Sequence, residues 1–281
     1  MARPFWSRPG AWAWSDLEGA VPDADDTPGA LLALHHLAGD DARVPAAAAR
    51  GVAWLLGLRN RDGGEPTFCR GWGKLPFDRS ADDITAHTLA GWACWQGRLP
   101  RDLARRSHRA IAGALAYLGR RQRADGSWLP LWFGNQHLDD QVNPCYGTAR
   151  VLIALASAGR GDAAMVARGA GWLLAHQQAE GGWGGDRTAP TSVEETALAV
   201  DALASLLLAG GAATWPGLDD AALRATLTRG VDRLIALTDG GNRFPPTPIG
   251  LYFAKLWYHD LIYPVAFTVQ ALAKARKVLT P

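Results

Sequence analysis

Three carboxylates fall within four residues at Asp23-Ala24-Asp25-Asp26, directly ahead of the apolar run Pro28-Gly29-Ala30-Leu31-Leu32. Like charges that close cannot all ionise comfortably, and adjacent apolar surface disfavours the charged form further. One of the three is therefore a candidate acid that keeps its proton until a substrate takes it. The same residues also read as an acidic turn with a helix N-cap, and locally both readings stand. A second titratable group, His87, sits in Ser80-Ala81-Asp82-Asp83-Ile84-Thr85-Ala86-His87, one turn into a helix. Facing an acidic cluster it would hydrogen-bond the acid and orient it; alone it reads as a satisfied core or capping histidine. A metal site built from His87 and aspartate lacks a third ligand at useful spacing, so no metal is expected.

The elements that must position these groups come from a repeat. Arg50, Arg109, Arg168 and Arg229 stand 59, 59 and 61 residues apart. Each opens an amphipathic helix that runs into an Asp/Gly-rich turn: Asp62-Gly63-Gly64, Asp125-Gly126-Ser127-Trp128, Gly181-Gly182-Trp183 and Asp239-Gly240-Gly241. That period fits one helix pair per unit. Between them lies a more apolar set starting near Thr27, Ile84, Tyr146, Ser192 and Tyr263. The run Thr196 to Leu208 is nearly uniformly apolar and reads as a helix buried on most sides. The sum is about nine helices, four outer and five inner, in an all-α toroid of hairpins, with residues 1–281 as one domain. Trp12 and Trp14 look like the tail of a further copy. The array thus starts partway round and leaves an apolar flank for another chain or a membrane. Trp54, Trp128, Trp172 and Trp183 are expected in core stacking, with Gln122 and Gln177 capping neighbouring backbone. Ser192-Val193-Glu194-Glu195 reads as a capping box, a sufficient local explanation for those carboxylates.

Inner-helix starts share one end of such an array, so Asp23, Asp25, Asp26, His87 and Tyr146 are expected to converge. Composition narrows the classes. The chain of 281 residues has 48% hydrophobic and 20% charged residues and a formal net charge of +2, which points to no polyanionic partner. Arg105-Arg106 and Arg120-Arg121 read as solvated helix faces, so no nucleic acid is expected. Three widely spaced cysteines, Cys69, Cys94 and Cys145, make no disulfide framework or zinc knuckle. No stretch is long and apolar enough to span a bilayer. Met1 to Pro9 lacks the apolar core of a signal peptide. A cytoplasmic protein is expected, with peripheral membrane contact through the apolar flank and Lys274, Arg276 and Lys277.

The chain resembles the class II terpene cyclases, and among them the squalene-hopene cyclases. Asp23-Ala24-Asp25-Asp26-Thr27 matches their Asp-x-Asp-Asp motif, and the repeats match their Gln-Trp repeats. Pro9-Gly10-Ala11-Trp12-Ala13-Trp14, Asp83-Ile84-Thr85-Ala86-His87, Asn143-Pro144-Cys145-Tyr146-Gly147-Thr148 and Gly250-Leu251-Tyr252-Phe253 add to the likeness. The resemblance implies that Asp25 protonates a terminal alkene or epoxide of a polyprenyl or squalene-like substrate. Asp23 and Asp26 would hold it, His87 would pair with it, and Tyr146 would extend the network. Trp14, Trp132, Tyr252, Phe253, Trp257 and Tyr258 would line the cavity, where aromatic faces stabilise carbocations without bonding to them. No cofactor is implied. Family members usually run to more than twice this length, which leaves open either half of a split cyclase, completed by a complementary cyclase subunit or a homo-oligomer, or a reduced single-domain enzyme for a shorter prenyl substrate. A non-catalytic isoprenoid-binding or assembly subunit, or a catalytically incomplete fragment, remains the competing expectation.

Overall fold

The computed structural model describes residues 9–38, 40–71, 73, 76–251 and 256–280. The chain forms two compact units, Met1–Arg121 and Gln122–Pro281. The first holds helices α1 (Asp26–Leu37), α2 (Val44–Leu58), α3 (Asp82–Trp95) and α4 (Arg101–Arg121), with a two-stranded antiparallel ribbon of β1 (Glu65–Pro66) and β2 (Ser80–Ala81). The second holds α5 (Pro144–Ala158), α6 (Ala163–His176), α7 (Val193–Leu208), α8 (Asp220–Leu237) and α9 (Tyr263–Leu279). It also holds a ribbon of β3 (Ile249–Leu251) and β4 (Leu256–Tyr258), in register Ile249↔Tyr258 and Gly250↔Trp257.

The alternation of amphipathic and apolar helices appears as the repeat implies. On α4 and α8 only one stripe is buried, Ala110, Ile111, Ala114 and Leu118 on the former and Leu223, Leu227, Gly230 and Leu234 on the latter. These positions recur at three- and four-residue steps, one face of a helix. On α7 burial is unbroken from Val193 to Ser205 and Leu206. Inner helices are not all enclosed, however. Of α1 only Thr27, Pro28 and Leu31 are buried, and of α9 only Pro264, Thr268, Ala271 and Ala275. Among the described residues α9 turns apolar side chains outward, with Val265 38% and Val269 61% exposed, and Leu261 and Ile262 just ahead of the helix are each 71% exposed.

One local device recurs three times along the chain. The Trp12 amide donates to Thr27 Oγ1 at 3.1 Å, Trp128 to Thr148 Oγ1 at 3.1 Å, and Trp183 to Thr196 Oγ1 at 3.1 Å. Each ring then lies against a glycine of the neighbouring outer helix: Trp12 on Gly51, Trp128 on Gly169, Trp183 on Gly230. A Cβ at those glycines would come within 2.6–2.8 Å of the indole. Gln122 and Gln177 fasten the turns as expected. Gln122 Nε2 donates to the carbonyls of Gly126 and Met165, and Gln177 Nε2 to those of Gly181 and Thr226.

The turn glycines correct the repeat register. Gly10, Gly126 and Gly181, all at positive φ, press on the carbonyls of Arg50, Arg168 and Arg229, but Gly63 presses on Gly113 rather than Arg109. The second copy is offset by one helical turn because α4 is a longer helix. The turn after Arg50 also carries Glu65 where the turns after Arg109 and Arg168 carry tryptophan: its amide donates to Thr85 Oγ1 at 2.9 Å, and Arg59 Nη1 lies 3.4 Å from where a Cβ on Gly113 would be. The Glu65 side chain is wholly buried, and burial pushes its carboxyl well above the usual range against the pull of Arg59 and Arg70.

Candidate functional site

The acidic motif is pinned before its helix begins. The Asp23 amide donates to the Trp12 carbonyl at 3.2 Å and the Ala24 amide to the Phe68 carbonyl at 2.7 Å. Phe68 is held in turn against Phe77, ring centroids 4.8 Å apart. Asp23 then does the work of a cap for α1. Its Oδ1 accepts from the amides of Asp25 at 2.9 Å and Asp26 at 2.7 Å, satisfying donors that the first turn would leave unpaired. Asp23 is only 8% exposed. Burial, reinforced by the charges of Asp26 and Asp25, raises its carboxyl to about 8 even though the two amides pull the other way. Asp26, hydrogen-bonded to Asp23, is raised as well, again through burial first. At neutral pH the cluster therefore retains a proton around Asp25.

Asp25 points to α3. Its Oδ1 lies 3.4 Å from His87 Nδ1, with the two side chains 33% and 16% exposed. Gly29 of α1 faces the same imidazole, where a Cβ would make ordinary contact at 3.8 Å from His87 Cε1. Asp23, Asp25, Asp26 and His87 thus form one constellation inside the first unit. Below it, Asp82 on α3 accepts from the Tyr117 hydroxyl at 3.0 Å and from Arg121 Nε at 3.2 Å, fixing the helix that carries His87 against α4.

Tyr146 belongs to the second unit. It stands in the first turn of α5, where Asn143 Oδ1 caps its amide at 3.0 Å, and its ring stacks on Phe133 at 4.5 Å. Trp132 leans on the same Phe133 at 4.9 Å, and Tyr263 approaches it at 6.1 Å. Phe133 was not among the expected wall residues; it is the centre of this aromatic group, and nothing in its local sequence marks it. Trp257 and Tyr258 lie on β4, the former half-buried and the latter 39% exposed. Trp14 is 82% exposed. Tyr252 and Phe253 lie outside the described residues. Among the described residues no group of three or more His, Cys, Asp or Glu side chains is placed to hold a metal ion, and no helix is long and apolar enough to cross a membrane.

The family model for the squalene-hopene cyclase C-terminal domain matches residues 5–277. A squalene-hopene cyclase of Bradyrhizobium diazoefficiens is 29% identical across 96% of the chain and 41% of its own length. A drimenyl diphosphate synthase of Streptomyces showdoensis is 34% identical across 66% of the chain and 31% of its own. The chain spans about two fifths of the length of the curated squalene-hopene cyclases that it matches. Among solved structures, the type II terpene cyclase MstE of Scytonema, bound to geranylgeranyl dihydroxybenzoate, superposes with a TM-score of 0.65 at 19% identity. It covers 98% of the chain and 79% of its own. The fold is thus the α/α toroid of the type II terpene cyclases.

Proposed function

The chain belongs to the squalene-hopene cyclase C-terminal domain family, and from that premise we propose that it carries the acid of a protonation-initiated cyclisation of a polyprenyl or squalene-like substrate. The observation that carries the reading is the constellation at α1: Asp25 beside His87, with a buried Asp23 that holds its proton next to it and an Asp26 hydrogen-bonded to Asp23 and itself pushed upward by burial. Two neighbours that resist ionisation reduce the negative charge around Asp25, and a carboxyl so placed surrenders its proton to a weak base such as an alkene. Protonating the terminal double bond adds hydrogen to its less substituted carbon and leaves a tertiary cation on the other. The next double bond attacks that cation, closing a ring and passing the charge on. His87, with Nδ1 3.4 Å from Asp25 Oδ1, would orient the carboxyl and, when charged, favour the carboxylate left behind.

The cations formed need surroundings that neither bond to them nor admit water. Aromatic faces meet that need, which supports Trp132, Tyr146, Trp257 and Tyr258 as wall residues; Trp14, Tyr252 and Phe253 complete the proposed wall. Tyr146 would also extend the hydrogen-bond network of the acid. The wall and the acid serve one substrate if residues 1–281 act as a single toroid domain, and that is part of the proposal. The outward apolar face of α9 supports a complementary subunit or a second copy covering it. Peripheral contact with a membrane, from which an insoluble polyene would be drawn, is part of the same reading, as is a cytoplasmic location.

The test is product formation by purified protein on squalene and on C15 to C20 prenyl substrates, alone and with a complementary cyclase chain. The reading expects cyclic product that disappears in Asp25→Asn. Folded protein that binds these substrates but never cyclises them would favour the non-catalytic binding subunit.

A further inference from the structure

At the start of α7 two adjacent carboxylates, Glu194 and Glu195, are both buried, and the chemistry above uses neither. Ser192 caps the helix, its Oγ accepting from the Glu195 amide at 3.0 Å. In a capping box the glutamate would return to the cap residue's own amide. That amide is already donated to the Trp183 carbonyl at 3.0 Å, so the local explanation expected from sequence is incomplete. Glu195 reaches across the unit instead. Its Oε1 accepts from Asn135 Nδ2 at 3.2 Å and Asn143 Nδ2 at 2.9 Å, while Oε2 takes the Ser192 hydroxyl. Glu194 accepts from the Thr247 amide and from Thr247 Oγ1, both at 2.8 Å.

The partners leave no freedom in these contacts. Asn143 Oδ1 is engaged by the Tyr146 amide and Asn135 Oδ1 by the His137 amide, each at 3.0 Å. Both asparagines can therefore offer only their NH2 groups, and the atom facing them must be an acceptor. What the carboxylates hold is also specific. Residues 131–146 carry Trp132, Phe133 and Tyr146, and Thr247 leads into the β3–β4 ribbon with Trp257 and Tyr258. The two segments touch through the Gly134 amide and the Gly250 carbonyl at 3.3 Å.

We infer that Glu194 and Glu195 are positioning residues that lock both aromatic-bearing segments to α7 and thereby set how many rings form before the cation is quenched. The inference rests on the reading of those aromatics as the wall of a cation-forming cavity. A wall held to a fraction of an ångström keeps each successive cation over a ring face. A loosened wall leaves an intermediate cation to lose a proton to water, giving an alkene, or to capture water and release a proton, giving an alcohol. Either outcome stops the cascade with fewer rings.

The experiment compares wild type with Glu195→Ala, Glu195→Gln, Glu194→Ala and Thr247→Val, all checked for folding by circular dichroism. Hydrogen exchange is followed over residues 131–146 and 247–258, and the ring number of products is scored on prenyl substrates. Losing one buried hydrogen-bonded tie raises local opening by about tenfold. Glu195→Ala should show that increase over 131–146, and Glu194→Ala and Thr247→Val over 247–258. Glu195→Gln keeps an acceptor at Oε1 and can donate to Ser192, so it should stay within about twofold of wild type on the same reasoning. The loosened variants should shift products toward fewer rings. Unchanged exchange in both alanine variants, or Gln behaving like Ala, overturns the clamp. Looser segments with wild-type product ratios overturn its control of ring number and leave the cyclase reading intact. A wild type that forms no cyclic product overturns the cyclase reading and the ring-number role with it, while the exchange pattern still decides the clamp.

Discussion

Replacing Asp23 by Asn should make the protein more stable at alkaline pH, an unusual result for a residue in an acid motif. Asn Oδ1 can accept from the Asp25 and Asp26 amides as Asp23 does at 2.9 and 2.7 Å, so the cap survives. The Nδ2 group then stands where Asp23 faces Asp26 and donates to its carboxylate. What disappears is an ionisable carboxyl whose value rises from 3.8 unfolded to about 8 folded, mainly through burial. Between those values the folded state binds the extra proton, so stability is greatest at low pH and falls as pH rises toward 8. Each unit is worth about 1.4 kcal/mol, so three units from pH 5 to pH 8 set an upper bound of about 4 kcal/mol. Asp26 shares the titration through its hydrogen bond to Asp23, and we expect about half of that bound, ~2 kcal/mol. Urea denaturation followed by tryptophan fluorescence at pH 5, 6.5 and 8 measures it. Glu65 and Glu195 also titrate upward, but they are common to both proteins and cancel in the difference. Parallel stability curves for wild type and variant, or a variant less stable at pH 8, would refute the buried-proton account.

Three further outcomes follow from the packing. Trp183→Ala removes a fully buried ring that bridges α6, α7 and α8 and should lower unfolding free energy by about 3–5 kcal/mol in urea titration. Gly169→Ala places a Cβ 2.7 Å from Trp128 Cζ3 and 3.2 Å from Leu152 Cδ2; overpacking there should cost about 1–3 kcal/mol by the same measurement. Asp201→Ala strips the partner from Lys274 Nζ (2.5 Å) and Gln270 Nε2 (2.5 Å) between α7 and α9. A drop of about 3 kcal/mol, with faster exchange in α9, is the expected signature.

The helix order was legible because its signals are local. Apolar periodicity and Gly-rich turns, two of them ending in tryptophan, recur at a near-constant spacing, and each inner helix begins within a few residues of the position read from sequence. The register of the second copy was not. Arg109 matches Arg50 and Arg168 by type and spacing, yet one extra turn in α4 moves the contact to Gly113, and only packing reveals it. The ribbons β1–β2 and β3–β4 were missed because strands of two or three residues have no periodicity to read.

At the site, three clustered aspartates announced that one would hold a proton. Which one depends on burial: the backbone turns Asp23 inward onto two amides and leaves Asp25 a third exposed beside His87. Glu194 and Glu195 illustrate the opposite limit. Their neighbours in sequence supply a plausible cap, while their partners Asn135, Asn143 and Thr247 lie more than fifty residues away. No local pattern announces such a contact.

The source of the first hydrogen tests the central claim most directly. Cyclisation of an alkene-terminated prenyl substrate run in heavy water, with products read by mass spectrometry and deuterium NMR, should incorporate one non-exchangeable deuterium. It should sit on the ring methylene beside the gem-dimethyl carbon, and Asp25→Asn should make no product. Cyclic product without that deuterium, or labelled product still formed by Asp25→Asn, would contradict proton delivery from Asp25.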